Sequence, residues 1–426
     1  MMLSSPPIWR YDVGVNRWET AFVLGGAHWR GNPSSSRKRL LLVVVTLALV
    51  SAAQAGPRYK ILHLFGHGGD ASGPWGSLVF DAEGNAYGTT INGGTYNFGT
   101  VFELTPHSNG HWTETILHDF NCKGSEGCTP TADLAMDTAG NLYGTTTTTT
   151  FELSPGSGGW SLSVLQNEGG PTGLILDYAG NLYGPIGIGE YGQGAISKLV
   201  KDQNWTEDLL YSFCAKGTRK HDCLDGSDPY AGVTWGPKGS LYGTTVQYGV
   251  HGYGVVFQLT PQQHGTWQET VLHSFPAFEG DGQNPYEGVV LDKAGNVYGA
   301  TSKGGSSTGC GVIFKLAPQA NGKWKETILY DFPKAAQGCG ANDLTLDAKG
   351  NLWGTAQGGT SSNGVVFELT PQQSGSWKYQ VVHQFNWKDG SLPGSAVTFD
   401  KQGNLYGTTI VGGAPYYGGV AFEITP

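Results

Sequence analysis

Five carboxylates recur at one spacing: Asp70, Glu126, Asp225, Asp281 and Asp389 each stand four residues before a proline. Carboxylates gathered into a partial ring can hold a hard cation such as Ca²⁺ or accept hydrogen bonds from polar ligands. With a histidine alongside, Asp225, Asp281, Asp389 and His221 form a set that can do acid–base or metal-assisted chemistry. No EF-hand loop or glycine–aspartate nonapeptide accompanies them, so the sequence requires no cofactor and Ca²⁺ is the one candidate ion. The plainer reading is that each acid caps a turn in a "DG" loop.

The six cysteines are the second group with chemistry. Cys122 and Cys128 share one loop, Cys214 and Cys223 share another, and Cys310 and Cys339 lie in successive loops. No tight CxxC pair favours zinc. An even count behind an export signal reads as three local disulfides. A third group follows no period: His67, Trp75, the insert Arg219 to Asp222, His251, Tyr253, Tyr416 and Tyr417. Exposed aromatics among acids and amides can stack on sugar rings or grip a protein partner, or simply fill long loops.

The elements that position these residues are repeats. "DAEGNAYGTT" from Asp81 returns as "DTAGNLYGTT" from Asp137, "DKAGNVYGAT" from Asp292, "DAKGNLWGTA" from Asp347 and "DKQGNLYGTT" from Asp400. Its aromatic residue falls at Tyr87, Tyr143, Tyr183, Tyr242, Tyr298, Trp353 and Tyr406. Self-similarity of this length marks a propeller, a solenoid or an array.

Each unit carries four β-like runs, named a to d in chain order. Strand a is the apolar run before the Asp, and strand b is "LYGTT". Strand c reads "GTVFELT", and strand d runs from a Trp to a Phe, as in "WTETILHDF" from Trp112. Four antiparallel strands per unit is the pattern of a propeller blade. The seventh unit stops after strand c at Pro426, while Tyr59 to Phe65 reads as a strand d with no a, b or c before it. The expected fold is therefore all-β: a seven-bladed propeller over residues 56–426, its last blade completed by the N-terminal strand. Closing the ring in this way pairs an edge that would otherwise invite aggregation.

Periodicity separates scaffold from function. Asp81 and its relatives recur too often to be catalytic and suit a turn whose Gly84 takes positive φ; unit four keeps the turn with Gly236 for the Asp and Ser240 for the Asn. His63, His118, His273 and His383 share one strand-d register with Tyr211 and Tyr330, which marks a packing or edge position rather than a metal ligand. Glu114, Glu207, Glu269 and Glu326 each follow the strand-d Trp by two residues and read as edge charges that deter sheet-to-sheet pairing. Antiparallel order puts the uniform a–b and c–d turns on one face. The irregular b–c and d–a loops, with every cysteine, share the other, where binding groups usually sit.

The chain has 426 residues, 68 of them glycine, with 12% aromatic and 14% charged residues and a formal net charge of −9. Arg37-Lys-Arg39, the apolar run Leu40 to Val50 and Ala53-Gln-Ala55 make residues 37–55 a secretory signal with a small-x-small cleavage site. An apolar run this short falls below the roughly 20 residues of a membrane span. Residues 1–36 match nothing downstream and stay unassigned. Because residues 1–55 are basic, processing leaves a more acidic chain, which argues against binding nucleic acid phosphates.

The combined pattern "DxxGNLYGTTxxGGxxxxGxVFELTP…W…ETxLHxF" resembles the GloVer-type tandem repeat of bacterial choice-of-anchor proteins, over about residues 59–426. The resemblance implies an exported repeat protein, secreted, periplasmic or at the cell surface. The sequence reads to Pro426 without a hydrophobic tail, so no C-terminal tether is expected. The resemblance brings no catalytic motif. The expected role is a non-enzymatic, monomeric module that binds carbohydrate or an extracellular protein through the loop-rich face. The alternatives are a propeller enzyme of lactonase, lyase or glycosidase type and a structural surface protein.

Overall fold

A computed structural model describes residues 56–167, 169–170, 173–217, 222–276, 280–306, 309–333 and 337–426. The proposed leader and signal, residues 1–55, lie outside the described residues, as do Arg219, Lys220 and His221 of the insert.

Seven antiparallel sheets form, each with strands in the order a, b, c, d. In blade one these are Val79–Phe80, Ala86–Gly93, Thr100–Pro106 and Trp112–Asp119, with Ala71–Pro74 added beside strand b. Blade four runs Thr234–Trp235, Leu241–Thr245, Val255–Pro261 and Trp267–Ser274. In blade seven, Thr398–Phe399, Leu405–Thr409 and Val420–Thr425 are completed by Arg58–Leu64. That last pairing is antiparallel, with Tyr59 opposite Ile424 and Leu64 opposite Val420. The ring is closed by the N-terminal strand, as the strand count predicts. Beyond the blades, Gly282–Gln283 pairs with Lys303–Gly304.

Burial explains the strand spellings. Strand b is buried at every residue in blades four and seven, because both faces of its sheet meet a neighbouring blade. The Gly of "YGTT" is required by packing: a Cβ on Gly88 would stand 2.6 Å from the Phe102 ring, and the same clash recurs between Gly407 and Phe422. The strand-c Phe so accommodated receives the last Phe of the preceding blade's strand d. Phe65 meets Phe102 with ring centroids 5.1 Å apart, Phe213 meets Phe257 at 4.9 Å, and Phe385 meets Phe422 at 5.4 Å. Such edge contacts add about 0.5–1.5 kcal/mol each beyond area burial. The first Thr of the phrase staples blades as well. Thr89 Oγ1 donates to the Ala132 carbonyl at 3.0 Å, and Thr408 Oγ1 to the Gly76 carbonyl at 3.3 Å across the closure.

The repeated Asp is a turn residue. Asp81 accepts the Asn85 N–H at 2.8 Å, the Asn85 side-chain amide at 2.8 Å and the Tyr87 hydroxyl at 3.0 Å. Burial opposes ionisation of Asp81, but these hydrogen bonds outweigh it and hold the carboxyl below its ordinary range. The arrangement repeats at Asp137, Asp177, Asp292, Asp347 and Asp400. Gly84 turns the corner at φ 92°, a conformation that favours glycine.

Candidate functional site

The a strands of the seven blades and the residues entering them surround a central cavity of about 830 Å³. Its wall is set by the residues entering strand a, four to six positions before the turn Asp. At the fourth position five of the seven blades carry a small residue, Ser77, Gly173, Gly232, Gly288 and Ala396, whereas Asp133 and Asp343 carry carboxylates into the lumen. Glu287, one residue earlier in blade five, adds a third. A larger side chain at this register points into the cavity, as those of Asp133 and Asp343 do.

The two aspartates are anchored identically. Asp133 Oδ1 accepts the backbone N–H of Ser77 in the preceding blade at 2.6 Å, and Asp343 Oδ1 accepts that of Gly288 at 2.6 Å. Burial is the main force on all three acids and raises each above its ordinary range. The charges of Asp343 and Asp133 push Glu287 up further, and Asp133 adds to the rise of Asp343 to about 6. Each group lines the lumen yet is ringed by protein, so its charge is poorly screened. Three carboxylates in one enclosed space repel one another, which favours a bound proton, cation or hydroxyl donor.

Aromatic residues stand at the loop-rich mouth. Trp75 and Tyr230 line the central cavity, and Tyr230 also borders a second cavity of about 520 Å³ with Tyr286 and Asp228. The Tyr230 and Tyr286 rings meet edge to face at 5.8 Å.

The other acids anticipated from the sequence stand elsewhere. Asp70, Asp225, Asp281 and Asp389 do not line the central cavity; each ties its d–a loop to the outermost strand of its own blade. Asp70 lies 3.3 Å from His63 Nε2, Asp281 3.7 Å from His273 Nε2, and Asp389 3.4 Å from His383 Nε2. Asp225 accepts the Tyr211 hydroxyl at 2.7 Å. Glu126 Oε2 lies 3.3 Å from His118 Nε2. His221 lies outside the described residues. Of the aromatics anticipated from the sequence, Trp75 lines the cavity. Tyr253 packs against the core between blades four and five, while Tyr416 and Tyr417 are exposed beside His67 and Trp387.

The strand-d glutamates correct an expectation. Glu114, Glu207, Glu269 and Glu326 are not outward edge charges: Glu269 is 3% exposed, and Glu207 accepts the Gln166 amide of the neighbouring blade at 2.8 Å. The second residue after the strand-d Trp faces the preceding blade rather than solvent, so its carboxylate belongs to the blade boundary.

All six cysteines pair as Cys122–Cys128, Cys214–Cys223 and Cys310–Cys339. The first two close loops on the irregular face. The third joins blade five to blade six, because Cys339 opens strand a of blade six, Cys339–Leu346. Among the described residues, no helix is long and apolar enough to cross a membrane.

Asp133, Glu287 and Asp343 escaped sequence reading because Asp133 and Glu287 precede strand a, Asp343 lies within it, and none belongs to a motif. The available signal was a charged residue at a register otherwise held by Ser, Gly or Ala.

Comparison with known proteins agrees with the fold. The model of the Gloeobacter/Verrucomicrobia repeat matches residues 48–224 and 170–422. Among solved structures, the extracellular domain of a one-component system from B. thetaiotaomicron is similar with a TM-score of 0.53 at 10% identity, over 85% of this chain and 40% of that one. The present chain thus spans well under half the length of that structure. A gluconolactonase from Xanthomonas campestris gives a TM-score of 0.39 at 14% identity, over 71% of this chain and 87% of that one. A search of the curated proteins finds no relative.

Proposed function

The chain belongs to the Gloeobacter/Verrucomicrobia repeat family, and from that premise we propose that it is an exported propeller that binds carbohydrate at the loop-rich mouth of its central channel. The observation that carries this reading is the convergence of Asp133, Glu287 and Asp343 with Trp75 and Tyr230 around one cavity. Carboxylates accept hydrogen bonds from sugar hydroxyls, and aromatic faces stack on the apolar face of a pyranose ring. A cavity of about 830 Å³ lies within the 300–1,000 Å³ typical of small-molecule sites. Export is supported by three disulfides and by the signal-like residues 37–55.

A glycan array probed with the folded protein tests this. Binding should appear and weaken at least tenfold, about 1.4 kcal/mol, in Trp75→Ala and in Glu287→Gln. A blank array, or binding that both variants retain in full, overturns it.

One observation favours a second reading. Asp343, raised to about 6, and Glu287, raised well above the ordinary range, have the proton affinity of general acids near neutral pH. A propeller hydrolase or lyase would use them so. Turnover of any bound glycan, lost in Glu287→Gln while binding persists, would replace the binding module by an enzyme.

A further inference from the structure

Outside the channel, three blade boundaries bring together two carboxylates from neighbouring blades. Asp225 faces Glu269 between blades three and four, Asp281 faces Glu326 between four and five, and Asp70 faces Glu114 between seven and one. Two buried like charges need a counter-charge. The first boundary has one: Lys216 Nζ bonds the Glu269 carboxylate and, at 2.9 Å, the Glu269 carbonyl, while the Tyr211 hydroxyl holds Asp225.

At the other two boundaries the place of Tyr211 is taken by histidine. No lysine or arginine among the described residues pairs with these carboxylates. His63 Nε2 lies 3.3 Å from Asp70 Oδ2 and 3.7 Å from Glu114 Oε2. His273 Nε2 lies 3.7 Å from Asp281 Oδ2 and 3.6 Å from Glu326 Oε2. In each set one nitrogen and two oxygens lie within 4.8 Å of one another. The Glu114 side chain is only 8% exposed, and its Oε1 has no hydrogen-bond partner, nor have Glu326 Oε1 and His273 Nε2.

We propose that these two boundaries are zinc sites, each formed by one imidazole and two carboxylates, that clamp blade seven to blade one and blade four to blade five. Nitrogen and oxygen ligands about 2.0–2.2 Å from a tetrahedral zinc stand roughly 3.3–3.6 Å apart, which the observed nitrogen–oxygen separations approach. A divalent ion takes the part that Lys216 plays between blades three and four and leaves each site neutral, with one coordination position open to water. Such an ion also binds only the folded chain, because each glutamate lies 44 to 53 positions from the other two ligands in sequence. Elsewhere the shared histidine register keeps its packing role: opposite His383 stands Tyr59, and opposite His118 the corresponding residue is Leu162, so the second carboxylate is missing.

Protein stripped with a chelator and titrated with zinc alone should bind two equivalents per chain, with a rise in melting temperature. Glu114→Gln and Glu326→Gln should each bind one, and the double variant none. Because glutamine at a buried position can disturb folding, His63→Tyr and His273→Tyr provide a second set, copying the tyrosine that blade three already accommodates. They should give the same loss of one equivalent each. Conversely, Tyr211→His combined with Lys216→Met should raise the count to three. Binding of less than one equivalent by the unaltered protein, or a count of two that survives either double variant, overturns the proposal.

Discussion

The ring of Tyr59 lies flat on the imidazole of His383, with centroids 3.8 Å apart and planes 6° from parallel. Tyr59 sits in the N-terminal strand that completes blade seven, and His383 in strand d of blade six, Trp377–Gln384. The same ring touches Phe385 edge-on at 6.0 Å and Phe422 at 5.5 Å. One aromatic side chain thus joins the start of the folded chain to its last two blades, and the closure rests on packing as well as on the β-ladder.

Tyr59 is partly buried, so Tyr59→Ala should destabilise the whole ring by about 2–3 kcal/mol, below the roughly 3–5 kcal/mol for removing a fully buried large aromatic. Denaturant unfolding measures this. Deleting Tyr59 to Phe65 should go further, leaving strand c of blade seven as an open edge that aggregates. A deletion variant that stays soluble with an unchanged melt would refute the role of the closure.

Channel acidity sets a pH dependence. Burial and the charge of Asp133 raise Asp343 to about 6 in the folded state, against about 3.9 unfolded. Between those values the folded protein holds a proton that the unfolded chain has lost, so stability falls as pH rises from about 4 to about 6. Above and below that window the contribution is flat. Asp343→Asn should remove this component, on the order of 1–3 kcal/mol. The variant should then melt higher than the unaltered protein at pH 7.5 and differ little at pH 3.5.

The Cys310–Cys339 bridge joins residues 29 positions apart, against 6 for Cys122–Cys128 and 9 for Cys214–Cys223. In the chain-entropy account it contributes about 3–4 kcal/mol, the most of the three. Serine at both positions should lower the melting temperature more than serine at either other pair, and reductant should have little further effect through that bridge.

Lys216 offers a test of boundary charge without any metal. Its ammonium balances Glu269, whose burial raises the carboxyl above its ordinary range despite the lysine. Lys216 is half exposed, so solvent screens part of the interaction. Lys216→Met should cost about 1–3 kcal/mol at pH 7, with less loss at pH 4.5, where protonated Glu269 needs no partner.

Much of this molecule was legible without coordinates. The "DxxGN" corner, the Gly before the Thr pair and the strand-d Trp and Phe report local backbone demands and the packing of one blade on the next. Because those demands recur seven times, the repeat period alone determined blade number, strand order and the borrowed strand. The face that carries the disulfides followed from the same alternation.

Only the tertiary structure decided which non-repeating residues meet. Asp133, Glu287 and Asp343 come from blades two, five and six, and nothing in their local sequence marks them as neighbours. The strand-d glutamates read as surface charges because a strand pattern specifies alternation but not what lies opposite the outer face. Ring closure supplies that information: it turns each outermost strand toward the adjacent blade and gathers the strand-a residues on one axis, so contacts between distant segments depend on the assembled circle.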